Sequence, residues 1–328
     1  MKVKRIFKIA LLVMAVSFLG FFVKIDYFIL MPSRAVDLSE IVLVENADEG
    51  DLGSFYLVTV SQQRAAPFTA IFSLLHPHMD LNPLERVIPA GMSETEYRAL
   101  LIENMVESRY LAQVVALRRV GFEVEIISDG VEVISFSDDA PATGIMEEED
   151  KIISVDGEKV FLASEVPLLV QNRFVGETVR LMIVRNGKES ELEIVTGAHP
   201  EDPEMPYLGI YIKTLPWEPV LPINIAMETG RIGGPSAGLM FSLEIMNQYL
   251  PEDLTAGHKI AGTGTIDLNE NIGRIGGVFQ KVISAEKAGA EYFFLPPGNL
   301  DDAKKAARKI ELIPVANLQE ALDFLSEL

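Results

Sequence analysis

The stretch Ile232-Gly-Gly-Pro-Ser-Ala-Gly238 decides how the second half of this chain is interpreted. It follows an alternating run, Pro222-Ile-Asn-Ile-Ala-Met227, which predicts a short buried strand. Pro235 suits the first turn of a helix, and the apolar residues after Ser236 recur at helical spacing. The pattern therefore places Ser236 where a strand gives way, through a short loop, to a helix.

Ser236 in this position is a candidate nucleophile. The first backbone N–H groups of a helix have no partner within the helix and carry partial positive charge. Such groups can hold the oxyanion that forms when a hydroxyl attacks a carbonyl. We therefore expect Gly234, Pro235 and Ala237 to form an oxyanion loop around Ser236. For this short stretch alone, a purely structural helix start is the alternative interpretation.

A nucleophilic serine needs a base, and Lys281 is the candidate. The four histidines, His76, His78, His199 and His258, lie in no recognisable triad motif. A lysine can act as the base if its pKa falls from about 10.4 to roughly 7–8. On a helix, Lys281 would share an apolar face with Val278, Ala285 and Ala288. Lys287 lies instead on a polar face, beside Glu286 and Glu291.

Four motifs, in order, resemble the proteolytic domain of Lon proteases. They are Gly233-Gly-Pro-Ser-Ala-Gly238, Ala261-Gly-Thr-Gly-Thr-Ile-Asp-Leu268, Gly273-Arg-Ile-Gly-Gly-Val-Phe-Gln-Lys281 and Phe294-Leu-Pro-Pro-Gly-Asn299. The resemblance covers roughly residues 205–300. It implies that Ser236 is the nucleophile, that Lys281 is the general base, and that Thr263 supports the lysine.

The chain departs from that family's pattern at three points. Gly233, followed by Gly234, stands two positions before the proline, where the family often has an acidic residue. Thr265 replaces a glutamate, and Phe279 replaces the first lysine of a pair. These departures concern substrate preference and activation rather than the pair of catalytic residues.

Composition limits the other classes of function. The chain has 328 residues, a net charge of −20 and 48% apolar residues, which predicts two or three domains with a sizeable core. So acidic a surface argues against nucleic-acid binding. The absence of cysteine excludes disulfides and thiol catalysis. We find no metal-ligand spacing and no phosphate-binding Gly-x-x-x-x-Gly-Lys-Ser/Thr loop, so we expect no metal, no cofactor and no ATP dependence.

The N-terminus predicts a membrane anchor. Residues 1–8 are basic, Ile9 to Val23 carry no charge, and a second apolar run, Tyr27-Phe-Ile-Leu-Met31, follows. A signal peptide and an anchor both fit a run of this length. Because no small-x-small cleavage site follows Val23, we favour an uncleaved single-pass helix over residues 9–31. Residues 1–8 would then be cytoplasmic and the remainder extracytoplasmic.

Upstream of the motifs, Phe55–Val60 predicts a strand, and Phe68–Leu75 predicts a strand or a short helix. Ser93-Glu-Thr-Glu96 is a capping box that opens a helix reaching residue 118. Within that helix, Met105-Val-Glu-Ser108 resembles the first helix of a Lon proteolytic domain, although an ordinary amphipathic helix fits equally well. We therefore assign residues 36–118 and 205–328 to one interrupted Lon-like domain.

The interruption, residues 119–198, resembles a PDZ domain. Strands, one helix and an Asn186-Gly187 hairpin follow in the order β-β-β-α-β-β, and Asp139-Ala-Pro-Ala142 and Asp150–Gly157 resemble that family's core signature. Arg119-Val-Gly-Phe122 resembles its carboxylate-binding loop, which implies peptide binding by Val120, Gly121 and Phe122. The alternative is a small β domain that only packs.

Together these patterns predict an α/β (α+β) Lon-type proteolytic domain, an inserted β-rich PDZ-like domain and one N-terminal transmembrane helix. The expected function is a membrane-anchored, ATP-independent serine endopeptidase acting on unfolded or membrane-proximal polypeptides, with peptide C-termini bound by the PDZ-like domain. Two alternatives stay open: a non-catalytic PDZ scaffold and another Ser/Lys hydrolase such as an amidase. A homo-oligomer is also left open.

Overall fold

The computed structural model describes residues 8, 14, 18–45, 47, 53–89, 91–200 and 202–328. The chain forms two compact units. The discontinuous unit comprises Met1–Glu123 and Leu221–Leu328, and the inserted unit comprises Val124–Val220. The chain thus leaves the first unit after Glu123 and returns to it at Leu221.

Besides the helical residues 18–22 and a short 3-10 helix at Leu38–Glu40, the described residues of the first part of the discontinuous unit form four strands and three α-helices. They are β1 (Tyr27–Asp37), β2 (Val42–Val44), β3 (Ser54–Arg64), α1 (Pro67–Leu75), β4 (Asp80–Pro83), α2 (Leu84–Val87) and α3 (Glu94–Arg119). The predicted capping box is present at the start of α3: the Ser93 hydroxyl accepts from the Glu96 N–H, and the Glu96 carboxylate accepts from the Ser93 N–H. The segment Phe68–Leu75, which the sequence left open, is helical.

The inserted unit contains ten strands and one helix among its described residues. They are β5 (Glu125–Ser128), β6 (Val131–Phe136), β7 (Lys151–Val155), β8 (Glu158–Lys159), α4 (Glu165–Val170), β9 (Thr178–Arg185), β10 (Lys188–Val195), β11 (Gly197–His199), β12 (Asp202–Tyr207), β13 (Ile210–Thr214) and β14 (Trp217–Val220). Its main sheet has the order β10-β9-β7-β6-β13, with β8 beside β7. The predicted Asn186-Gly187 hairpin is present, and both turn residues have positive φ.

The second part of the discontinuous unit alternates strands and helices. The elements are β15 (Ile225–Met227), α5 (Gly238–Tyr249), β16 (Lys259–Gly262), β17 (Thr265–Ile266), β18 (Ile272–Gly273), α6 (Val278–Ala288), β19 (Tyr292–Leu295), α7 (Leu300–Ala306), β20 (Glu311–Pro314) and α8 (Leu318–Leu325).

One six-stranded sheet joins the two parts of the discontinuous unit, in the order β20-β19-β16-β3-β1-β4. β16 pairs in parallel with β3 on one side and with β19 on the other, so its position depends on both parts of the chain. α6 packs on β1 and β3, and α3 packs on α5. Every residue of α5 from Gly238 to Gln248 is buried, which is typical of a helix in the middle of a core.

The predicted boundary of the anchor was wrong at its C-terminal end. Tyr27–Met31 form the start of β1 in the central sheet, and Phe28 and Ile29 are buried there. A short apolar run fits a buried strand as well as a membrane segment, and periodicity does not separate the two. Residues 1–7, 9–13 and 15–17 of the predicted N-terminus and anchor lie outside the described residues. Among the described residues, no helix combines the length and the apolar character needed to cross a membrane.

The compact inserted unit has other bounds than the interval of 119–198 that was predicted for the PDZ-like domain. Residues 119–123 belong to the discontinuous unit, and the inserted unit continues to Val220. Local patterns do not predict β12 and β14, because Pro203, Pro206 and Pro219 interrupt them. β13 and β14 nevertheless pair with β6 and β5.

Candidate active site

The loop that carries Ser236 is held by α3. Gly234 has φ +96°, a conformation that favours glycine, and its N–H donates to the Leu101 carbonyl at 2.7 Å. The Ser108 hydroxyl donates to the Pro235 carbonyl at 3.1 Å. Two points on one long helix therefore fix the backbone immediately before Ser236.

The backbone of Ser236 itself is held from the other side. Its carbonyl accepts hydrogen bonds from the Gly264 N–H and from the Thr263 hydroxyl, both at 3.0 Å. That carbonyl is thereby used outside the helix, and α5 begins only at Gly238, with Ala237 as its N-cap. The predicted helix start at Pro235 was therefore too early, and Ser236 lies in the turn that precedes the helix.

Lys281 projects from α6 toward this turn. Its Nζ lies 2.7 Å from the Ser236 Oγ and 2.9 Å from the Thr263 Oγ1. The helix begins after Gly277, which has φ +69° and packs so closely that a Cβ there would lie 2.9 Å from Val60. The structure thus brings together all three residues that the sequence singled out: Ser236, Lys281 and Thr263.

The electrostatics of Lys281 suit a base. Its side chain is only 3% exposed, and burial lowers its pKa to about 7. Within the described part of the chain, no carboxylate forms an ion pair with Lys281. Its amine therefore contacts two hydroxyl groups in a site that favours the neutral form.

The hydroxyl of Thr263 orients that amine. It has one proton, which it donates to the Ser236 carbonyl, so the oxygen presents a lone pair to Lys281. An N–H of the amine then points at Thr263. This leaves the lone pair of a neutral Lys281 free to face the Ser236 hydroxyl.

Two of the three residues predicted to form the oxyanion loop, Gly234 and Pro235, have no backbone N–H available for an oxyanion. Pro235 has no N–H, and the Gly234 N–H is already used by Leu101. Among the hydrogen bonds of the described residues, none is donated by the backbone N–H of Ser236 or of Ala237. These two N–H groups, just before α5, can donate hydrogen bonds to an oxyanion.

Ser236 and Lys281 both line a cleft of about 1080 Å³. Its apolar lining comes from α3, from the central strands and from the nucleophile loop, and includes Leu57, Val60, Leu101, Met105 and Ile232. Three arginines, Arg98, Arg231 and Arg274, also line the cleft. A second cleft, of about 820 Å³, lies beside Phe279 and Lys287 and contains neither Ser236 nor Lys281.

The three residues assigned to peptide binding lie at the end of α3, in the discontinuous unit. Val120 is the C-cap of that helix, and Gly121 has φ +99°. The Phe122 ring lies 5.3 Å from the Tyr249 ring of α5. All three residues thus take part in ending the helix and packing it, and their role in peptide binding stays a prediction.

Sequence reasoning missed the contacts by which α3 holds the site. Two further side chains of α3 hold β15. The Arg109 side chain donates to the Met227 carbonyl at 2.8 Å, and the Gln113 side chain donates to the Ile225 carbonyl at 3.2 Å. The Met-x-Glu-Ser pattern at 105–108 was the only local signal. The partners are too distant along the chain for spacing to reveal them. No group of three or more potential metal ligands occurs among the described residues.

Two segments of the chain match models of known protein families. Residues 222–326 match the Lon protease (S16) C-terminal proteolytic domain, and residues 119–196 match the PDZ domain. Lon protease 2 of Bacillus subtilis (strain 168) is 37% identical over 94 residues, 28% of this chain and 16% of that protein. An archaeal Lon protease of Halobacterium salinarum is 31% identical over 97 residues, 29% of this chain and 14% of that protein.

Among solved structures, the PDZ domain of an SdrC-like protein from Listeria innocua is 30% identical, over 26% of this chain and 93% of that one, with a TM-score of 0.24. The matching segment spans only about one seventh of the length of the curated Lon relatives. Residues 222–326 are thus similar to a Lon-type proteolytic domain, and residues 119–196 are similar to a PDZ domain.

Proposed function

We propose that this protein is a serine endopeptidase that works through a Ser236–Lys281 dyad. One observation carries the proposal: a buried lysine whose pKa is lowered to about 7 lies 2.7 Å from a serine hydroxyl. A base with a pKa near the working pH combines the right protonation state with enough proton affinity. Both groups line a cleft large enough for a polypeptide segment.

The chemistry follows from this geometry. The Ser236 Oγ attacks the peptide carbonyl carbon while its proton passes to the neutral Lys281 Nζ. The N–H groups of Ser236 and Ala237 hold the oxyanion of the tetrahedral intermediate. Lys281 then gives its proton to the departing amine, which leaves an ester on Ser236. Water, deprotonated by Lys281, attacks that ester and releases the acid product and free Ser236.

Thr263 positions Lys281 through this cycle. Its oxygen accepts from the amine in both the neutral and the protonated state, which keeps Nζ within reach of Ser236. It does not exchange a proton with the substrate. We therefore infer a supporting role rather than a direct one.

We further infer that cleavage is independent of ATP, because the sequence of these 328 residues contains no phosphate-binding loop. Substrates would then be polypeptides that are already unfolded or extended. The PDZ domain would select among them by adding peptide C-termini as an extra strand. The uncharged run Ile9–Val23 would hold the protein in a membrane, with the catalytic unit on the extracytoplasmic side.

Cleavage of an unfolded, casein-like protein by the purified full chain, without ATP, tests this proposal. The wild type should release peptides, and Ser236→Ala should release none. Lys287→Ala, on the exposed side of the same helix as Lys281, is the matched control and should behave as the wild type. Equal cleavage by wild type and Ser236→Ala would overturn the proposal. A wild type that binds peptides without cleaving any substrate would indicate a PDZ scaffold instead.

A further inference from the structure

Helix α1 exposes its large apolar side chains. Five of its nine residues form what we call the α1 surface, with exposed fractions of 37% to 81%: Phe68, Ile71, Phe72, Leu74 and Leu75. No residue of α1 carries a charge. Contiguous exposed apolar side chains of this kind mark an interaction site on a soluble unit.

The buried side of α1 carries its small residues. Ala70 and Ser73 are buried, and Ala70 belongs to a small core with Ile29 and Ala65. This is the reverse of an ordinary surface helix, which turns its large apolar side chains inward. Because the helix is already fixed by its small face, the α1 surface is free for something outside the unit.

The α1 surface is continuous with the apolar N-terminal segment. Residues 18–22 are helical, and the ring of Phe21 meets that of Phe68 edge to face, with centroids 5.0 Å apart. Gly20 packs so closely on the same ring that a Cβ there would lie 2.3 Å from it. Phe18, Leu19 and Phe22 are themselves more than half exposed. The patch therefore extends from α1 directly onto the segment proposed to enter the membrane.

We propose that the α1 surface lies in the interface of the lipid bilayer, beside the N-terminal anchor. The inference rests on the membrane anchoring proposed above. Its occupant is lipid rather than a second protein because the patch runs without a polar break into an uncharged run of sequence. Because α1 carries no charged side chain, apolar contact rather than electrostatics must provide the attachment of this surface.

Docking of α1 would restrict how the catalytic unit sits on the membrane. An anchor followed directly by a free domain permits many orientations, whereas a second apolar contact removes most of them. Phe28 and Leu30 of β1, which follow the N-terminal segment closely, line the active cleft. The proposal thus narrows the substrates to polypeptides at or near the membrane surface.

Because the chain has no cysteine, single labelled sites can be introduced cleanly. The full-length protein would carry an environment-sensitive nitrobenzoxadiazole dye at Leu74→Cys, and would be reconstituted in vesicles of phosphatidylcholine and phosphatidylglycerol. Leu74 is 72% exposed, so the change leaves the fold intact. Lipids with a doxyl quencher near the headgroup should lower its emission about two-fold, as expected for a side chain buried at the headgroup boundary.

Two further sites make the result decisive. Lys304→Cys is the control. Lys304 is exposed on α7, and α7 packs on β20. β20 lies at the opposite edge of the six-stranded sheet from β4, the strand beside α1. The dye at Lys304→Cys should show no quenching. Leu19→Cys reports the anchor. Quenching at Leu19 but not at Leu74 would overturn docking of α1 and leave anchoring intact, whereas no quenching at either site would overturn both.

A second copy of the chain would give a different signature. If the dye at Leu74 were shielded from iodide in the water phase but untouched by the lipid quenchers, protein rather than lipid would cover the α1 surface. That outcome would also overturn the proposal.

Discussion

Asp150 of the inserted unit and Lys281 of the discontinuous unit are both buried ionisable side chains, but their surroundings are opposite in kind. In the inserted unit, Asp150 is 1% exposed and accepts two hydrogen bonds from the Arg185 guanidinium, at 2.7 and 2.6 Å. In the discontinuous unit, Lys281 is 3% exposed and meets only hydroxyl groups. Burial pushes the Asp150 pKa up, but the Arg185 hydrogen bonds and charge bring it below its usual value. Burial alone lowers the Lys281 pKa to about 7.

The difference separates a structural charge from a reactive one. A buried ion with a fitted counter-ion stays charged, and removing one partner is costly. A buried amine without a counter-ion moves toward its neutral form, where it can accept a proton. Among the described residues of the inserted unit, Thr196 is the one other buried polar residue. The discontinuous unit buries a longer series that includes Ser108, Gln113 and Thr263. The polar interior is concentrated where we place the chemistry.

The largest effect should come from fixing the charge on Lys281. Lys281→Arg keeps a cation at this position but cannot deprotonate near neutral pH, so kcat/KM should fall by more than about 1000-fold. Ser236→Ala should fall as far, and the double variant no further, since residues that act as a unit are not additive. Near wild-type cleavage by Lys281→Arg, with an unchanged circular dichroism spectrum, would refute a lysine base.

Breaking the Asp150–Arg185 pair should destabilise the inserted unit without touching the dyad. Arg185→Ala strands a buried carboxylate, and because Arg185 is itself 29% exposed we expect a loss of about 2–3 kcal/mol, below the range for fully buried pairs. Hydrogen exchange of the β9 amides measures this loss. The control is Arg180→Ala, whose pair with Glu193 is exposed on both sides and should matter by less than about 0.5 kcal/mol. Similar exchange rates in both variants would show that the buried pair contributes no more to stability than the exposed pair.

The smallest predicted effect concerns Thr263 and tests its role in positioning Lys281. Thr263→Ala should lower kcat/KM about ten-fold, because the base loses a positioning contact but keeps its pKa range. In the wild type, activity should appear as pH rises through about 7, since Lys281 works only when deprotonated. In the wild type, the Thr263 hydroxyl accepts a hydrogen bond from protonated Lys281 and so stabilises the charged form. Without that hydroxyl, the pKa of Lys281, and with it the midpoint of the pH profile, should be no higher than in the wild type. Thr263→Ser should restore activity, and a pH profile that moves upward in Thr263→Ala would contradict this arrangement.

Local patterns predicted much of the fold. The Asn186-Gly187 hairpin between β9 and β10 lies where its turn residues place it, and α3 begins at its capping box. Motif order was enough to select the three side chains that meet in the cleft. Failures occurred where the deciding contact is distant or the pattern ambiguous. Tyr27–Met31 fit a membrane segment and a buried strand equally well, and β13 gains its strand character from pairing with β6.

The contacts that hold the nucleophile loop were beyond sequence reasoning for the same reason. Nothing near Leu101 or Ser108 states that their partners are Gly234 and Pro235. The shift of the α5 start to Gly238 likewise follows from hydrogen bonds that Gly264 and Thr263 make to the Ser236 carbonyl. Such reciprocal contacts between distant segments exist only after the chain has folded.

The dependence of β16 on both β3 and β19 sets an order of events during synthesis. A growing chain completes β3 early, but that strand has no parallel neighbour until Lys259–Gly262 has left the ribosome. The hydrogen bond between Gly234 and α3 likewise cannot form until Gly234 has been synthesised. Lys281, the proposed base, is synthesised later still. The inserted unit, whose strands pair only with one another, can fold in the meantime. A growing chain should therefore lack the proposed peptidase activity until Lys281 has been synthesised and packed against Ser236.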